Sequence, residues 1–168
     1  MLTEAFKKWA NRVRFGTNKV KRGMKWSYPF YEKPERDLMD KIKAVNEERR
    51  PGIYGASILG SKVIKLNPTT LGDDKLMWAT TAVHEAEHGV NGVLEGGATE
   101  REFRFLGRVY KNAVQSKNRV MAKRALKAAA IAMNQRKRMV DDKYKKDDKQ
   151  LLMDYGFSEK AANVLMEV

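Results

Sequence analysis

The stretch that decides the reading is Lys75-Leu-Met-Trp-Ala-Thr-Thr-Ala-Val-His84-Glu85-Ala-Glu-His88. It carries no glycine or proline, and Asp73 or Asp74 stands before it as a helix cap. Residues four apart on a helix share one face with Cβ atoms about 6 Å apart, so the imidazoles of His84 and His88 can reach one metal ion. Glu85 is turned about 100° from His84, which puts its carboxylate beside the place where a metal-activated water would stand. Two neutral nitrogen ligands and one general base are the working parts of a His-Glu-x-x-His zinc site, and the reaction class is amide hydrolysis. The 2 histidines of the chain both fall in this motif.

Upstream, Ile53 to Leu59 and Lys62 to Leu66 are β-rich runs separated by Gly60-Ser61, a hairpin signal that Asn67-Pro68 closes. Leu38, Ile42 and Val45 repeat at helical spacing and predict a helix over Glu35 to Glu48, ended by Pro51-Gly52. Leu2 to Val13 predicts an amphipathic helix that lacks the apolar core of a secretory signal, and Gly16 to Lys25 a basic loop. The aromatic segment Trp26, Tyr28, Phe30 and Tyr31 is expected to be extended and to pack on the core, with nucleobase stacking as the alternative. Downstream, the motif helix is expected to run to Leu94 and stop at Gly96-Gly97. Thr99 and Glu102 then form a capping box for a helix through Phe105, Leu106, Val109 and Ala113. Beyond Asn118 the chain reads as helical, with an alanine-rich centre, and Asp141 to Lys149 as a solvated stretch. From Gln150 on, a helix, a turn at Gly156 and a helix capped by Ser158 are expected to dock as a helical hairpin.

A tetrahedral zinc held by two imidazoles needs one more protein ligand beside water. The chain has no cysteine, so that ligand is a carboxylate and a disulfide framework is excluded. Glu100 opens the following helix and is the first choice. Glu102 is the second, shared with its capping role. Glu95 is the third, since a continuous helix would carry it about 10 Å past His88 and only a break at Gly92 would bring it back.

The 168 residues suit one compact domain with appendages. Hydrophobic residues make up 42% and charged residues 33%, and no apolar run approaches the roughly 20 residues of a membrane span. The net charge of +13 is unevenly placed: 14 basic against 7 acidic residues over 1–50, 3 against 6 over 51–100, and 17 against 8 over 101–168. The division expected is a basic N-terminal helical region over 1–50, a catalytic core over 51–118 and a basic C-terminal helical region over 119–168. Cationic flanks, including Lys123-Arg124 and Arg136-Lys137-Arg138, point to nucleic acid or an acidic partner, or to a solvated surface. A cytoplasmic setting is the default, with virion association as the alternative.

Val63-Ile64-Lys65-Leu66-Asn67 leading into Ala82-Val83-His84-Glu85-Ala86-Glu87-His88, followed by Thr99-Glu100-Arg101-Glu102, resembles the small gluzincin-type zinc metallopeptidases. In outline it is similar to the ImmA/IrrE-like peptidases that phages and mobile elements often encode. The resemblance covers Ile53 to Tyr110. It implies an α+β, mainly helical zincin-like core with a small β-sheet, one Zn2+, and proteolysis of a regulatory or nucleic-acid-bound protein. It matches Glu100 to the ExE element of such enzymes, and Glu95-Gly96-Gly97-Ala98 to the EGxA element of others. Phe103 and Arg104 depart from the small residue and Asp or Asn usual after the ligand. A rival reading is a virion-type structural or nucleic-acid-binding protein that keeps the scaffold without the chemistry.

Overall fold

The computed structural model describes residues 26–141, 145 and 147–168. The helix expected over Leu2 to Val13 and the loop over Gly16 to Lys25 lie outside the described residues. The chain is mainly helical with one small sheet, an α+β arrangement, and divides between Val93 and Leu94 into two compact units. That boundary falls inside the segment read from sequence as a single core over 51–118.

In the N-terminal unit a short 3-10 turn, Tyr28–Phe30, replaces the extended segment expected there. Tyr28 and Tyr31 are buried, and the Tyr31 hydroxyl donates to the Ala79 carbonyl at 3.3 Å, so these two rings serve the core. Helix α1, Lys33–Lys41, starts at a capping box of Glu32 and Glu35 with a proline in its first turn. It is shorter than the predicted helix, because Lys43–Asn46 forms strand β1. Val45 fits the helical repeat, but a parallel ladder with distant residues outweighs that local spacing: Ala44 pairs with Ile64, and both are fully buried.

The hairpin is present, with strands shorter than the two runs. Strand β2, Gly55–Ser57, pairs antiparallel with β3, Val63–Leu66, and the sheet order is β1-β3-β2. Asn67 closes it from a fully buried position. Its amide donates to the Ile53 carbonyl at 2.7 Å, while its oxygen caps the short helix α2, Pro68–Leu71, through the Thr69 N–H.

Helix α3, Lys75–Asn91, is capped by Asp74, which accepts from the Met77 N–H at 3.1 Å. Every residue from Leu76 to Gly89 is buried, with β2 and β3 packed against the helix as well as α1. The helix stops short of Leu94. Gly92 takes the left-handed conformation, φ +64°, and its N–H returns to the His88 carbonyl at 3.1 Å. Gly96 and Gly97 are therefore not the stop.

In the C-terminal unit helix α4, Glu95–Gln115, already includes those glycines, and Thr99 lies inside it with its hydroxyl on the Glu95 carbonyl at 2.7 Å. The expected capping box at Thr99 and Glu102 is thus absent. Near a helix start several N–H groups lack intrahelical partners anyway, so glycine weakens the ladder least there. Helix α5, Arg119–Met139, is capped by Asn118 and packs on α4 through Ala125, Ala128, Ala129 and Ala132. The tail forms α6, Asp148–Asp154, a turn at Gly156 and α7, Glu159–Met166, with Ser158 as cap. This hairpin buries Leu152, Phe157, Ala162 and Leu165, and α7 packs on α5.

One member of the basic cluster on α5 is not a surface charge. Arg136 is 3% exposed and grips Asp148 with two bonds of 2.9 and 3.0 Å. A third nitrogen donates to the Gly96 carbonyl and the Thr99 hydroxyl, so this guanidinium ties α4, α5 and α6 together. Asp148 is correspondingly buried, against the solvated stretch expected over Asp141 to Lys149, of which 142–144 and 146 are outside the described residues.

Candidate metal centre

The buried helix α3 presents His84 and His88 one turn apart, 4% and 9% exposed. Their rings meet at 73° with centroids 4.7 Å apart, and the two Nε2 atoms lie 3.0 Å from each other. The other nitrogen of His88, Nδ1, is 2.6 Å from the Val93 carbonyl. A carbonyl only accepts, so Nδ1 carries the proton and Nε2 of His88 offers a lone pair. The break at Gly92 makes this bond available, because it turns the chain back so that Val93 meets the ring five residues behind it. An imidazole whose second nitrogen donates to a backbone carbonyl has the tautomer and orientation of a metal ligand.

The spacing fits such a role. Two nitrogens about 2.0 to 2.1 Å from a tetrahedral zinc stand about 3.3 Å apart, so a few tenths of an ångström of opening would suffice. Glu85 is 7% exposed on the neighbouring face. Its Oε2 accepts a 2.6 Å hydrogen bond from the Ser57 hydroxyl on β2, which fixes that carboxylate oxygen. Strand and helix approach closely at this point. A Cβ on Gly55 would lie 2.7 Å from the Lys65 carbonyl, 2.9 Å from Thr81 and 3.2 Å from Glu85, so glycine is required beside the carboxylate. Glu87, also buried, accepts from the Asn91 amide at 3.2 Å.

The three carboxylates named from sequence occupy distinct settings on α4. Glu95 is the first residue of the helix, two places after the Val93 carbonyl that orients His88. Glu100 is engaged elsewhere: its Oε1 accepts from the Tyr155 hydroxyl at 2.5 Å and faces Arg104 at 3.7 Å. Burial together with this bond raises the Tyr155 hydroxyl above its ordinary range. Glu102 is buried in the body of α4 and caps nothing.

Ser57 was missed by the motif, since nothing in its immediate sequence marks it. A polar side chain in the run Ile53 to Leu59 is the one available signal, and only the register that pairs Ser57 with Ile64 shows which face it takes. Comparison with known protein families, curated proteins and solved structures finds no match for the chain.

Proposed function

We propose that the chain is a zinc-dependent peptidase of the gluzincin type, with His84, His88 and Glu95 as metal ligands and Glu85 as general base. The observation that carries the reading is the convergence of the two Nε2 atoms at 3.0 Å on a buried helix beside a carboxylate held by Ser57. Four ionisable side chains within five positions of a buried helix are costly to the fold, and a metal site accounts for them. Glu95 replaces Glu100 as first choice because Glu100 is engaged by the Tyr155 hydroxyl and Arg104. Among the described residues His84, His88 and Glu95 make a group of suitable composition to hold an ion, and Glu100 and Glu102 do not join it.

When bound, zinc supplies an acidified water and polarises a carbonyl oxygen. His88 is oriented through Val93, and His84 contributes the second nitrogen. Glu85 takes a proton from the water and delivers it to the departing amine. Ser57 keeps the carboxylate in the rotamer that faces the reacting atoms.

Zinc content of the purified protein and the Glu85→Gln variant test the reading. The variant should keep the metal and lose about 10²- to 10⁴-fold in kcat. Cleavage at the parental rate would sink the mechanism.

The rival, a nucleic-acid-binding protein on the same scaffold, is supported by Arg119, Lys123, Arg124, Lys127 and Arg138, all exposed on α5. It predicts duplex DNA binding that weakens steeply with salt. Binding that is undetectable at low salt removes it.

A further inference from the structure

Over 103–140 the chain holds 11 basic residues and no acidic one. Helix α5 alone carries 7 of them, and it has no aromatic ring. At about 100° per residue, Arg119, Lys123, Arg124, Lys127 and Arg138 fall in one arc of about 140°, and all five are exposed. The alanine stripe and Arg136 take the opposite side and are buried. Each exposed cation is at ease in water on its own; their sum calls for an explanation. Arg119, Lys123 and Lys127 stand four apart, where like charges repel along a helix, and Arg119 lies in the first turn, at the positive end of the helix dipole. Among the described residues none of Arg119, Lys123, Arg124 and Lys127 has an ion-pair partner. A row of cations neither paired within the chain nor interrupted by an acid fits a row of anions.

We infer that this face of α5 binds the phosphate backbone of B-form duplex DNA without reading its sequence. From Arg119 to Arg138 the helix rises about 28 Å, more than the roughly 12 Å width of the major groove, so one helix reaches phosphates on both edges of that groove. Contacts to phosphates position a protein and carry no sequence information. The deep, narrow major groove of duplex RNA gives a helix no such seat. Single strands are held by stacking bases on aromatic side chains, which α5 lacks. A lipid surface asks for a broad apolar face of Trp, Phe or Leu, whereas the apolar stripe of α5 is mostly alanine and is already buried against α4. The inference does not rest on the peptidase reading. It is narrower than the rival, since it names the surface and the form of nucleic acid, and it holds for a peptidase that meets its substrate on DNA as well as for a binding protein.

The full-length protein is titrated against short fluorescent DNA duplexes of two unrelated sequences, which should bind within about threefold of each other. Five neutralised phosphates give a slope of log affinity against log salt of about −4.5, a loss of roughly 500-fold between about 50 and 200 mM salt. The Arg119→Gln, Lys123→Gln, Lys127→Gln variant should make that slope shallower by about 2.7. A control with the same loss of charge at exposed positions of the N-terminal unit, Lys33→Gln, Lys41→Gln, Lys62→Gln, should keep the slope. Circular dichroism checks the helix. Should the triple variant lose it, Lys123→Gln alone should make the slope shallower by about 0.9. The same sequence as a single strand, the matching RNA duplex, phosphatidylserine vesicles and polyglutamate should each bind more weakly than the DNA duplex. Binding to any of them as tight as to the duplex overturns the inference in favour of that partner. A slope untouched by the α5 variant, or a change shared by the control, overturns it as well, and DNA binding through another part of the chain then leaves the rival standing. No binding at low salt removes both. None of these readouts involves zinc or cleavage, so the peptidase reading stands or falls separately, on Glu85.

Discussion

Helices α3 and α5 are both long, and they bury opposite kinds of surface. In α3 everything from Leu76 to Gly89 is inside, including His84, Glu85, Glu87 and His88. In α5 only a stripe is inside, with Ala125, Ala128, Ala129, Ala132, Met133 and Arg136 at spacings of three and four, while Lys123, Arg124 and Lys127 remain in water. A solvated charge on α5 needs no special explanation. Buried ionisable groups on α3 do, because each must recover its lost hydration from a partner. Arg136 is the instructive exception on α5: it is buried, and Asp148, Gly96 and Thr99 satisfy it, which makes it a structural clamp. The imidazoles of α3 instead present two nitrogens to one point.

The sharpest way to break this contrast is to remove the clamp. Arg136→Met should destabilise the protein by about 3 to 5 kcal/mol, since it leaves the Asp148 carboxylate buried without its counter-charge. Arg136→Met with Asp148→Leu should recover much of that loss. A chemical denaturation midpoint unchanged in the single variant would show that the pair contributes nothing. Removing a charge from the proposed metal site should act on binding. Glu95→Ala is expected to weaken zinc by well over about a hundredfold, beyond the roughly 10- to 100-fold typical of groups that only orient a ligand, whereas Glu100→Ala should stay within about threefold. Competition with a chelating dye measures both, and the reverse order would return the third ligand to Glu100.

A smaller effect is expected where strand meets helix. Gly55→Ala places a methyl group 2.7 Å from the Lys65 carbonyl, so β2 or β3 must shift, at a cost of roughly 1 to 3 kcal/mol in thermal or denaturant unfolding. A stability equal to the parent would mean that the strands move apart freely and that the packing beside Glu85 is loose.

What was legible in the sequence is what local chemistry decides. The helix through His84 and His88, the hairpin around Gly60-Ser61, and the caps at Asp74, one of two candidates, and Ser158 each depend on residues a few positions apart. The errors lie where a distant partner decides. Val45 satisfies a helical repeat but is drawn into the ladder with Lys65, and the spacing of Leu38, Ile42 and Val45 holds no trace of that strand. Gly92 ends α3 ahead of the more conspicuous Gly96-Gly97, because the left-handed cap needs one glycine at the right turn and not a pair. Thr99 with Glu102 has the spacing of a capping box, yet the helix had already begun at Glu95. Arg136 reads as one of three solvated cations until Asp148, twelve residues on, is found against it.

Ser57 is the least legible residue of the proposed site, and its removal should give the smallest effect. Its hydroxyl reaches the Glu85 carboxylate from the sheet, at 2.6 Å. Ser57→Ala removes a hydrogen bond to a charged group without opening a large cavity, so stability should change by about 1 kcal/mol or less in a melting experiment. Zinc affinity should not change, because His84, His88 and Glu95 are untouched. The loss should appear in kcat, by about tenfold with KM constant, since a carboxylate that samples wrong rotamers is a poorer base only when the proton moves. Ser57→Thr, which restores the hydroxyl on a β-branched stem suited to a strand, should recover most of the rate. A rate equal to the parent in Ser57→Ala would mean that Glu85 is positioned by the helix alone. A shared rise in KM would instead assign Ser57 to substrate binding, and the contrast between a helix that carries the chemistry and a strand that aims it would then have to be redrawn.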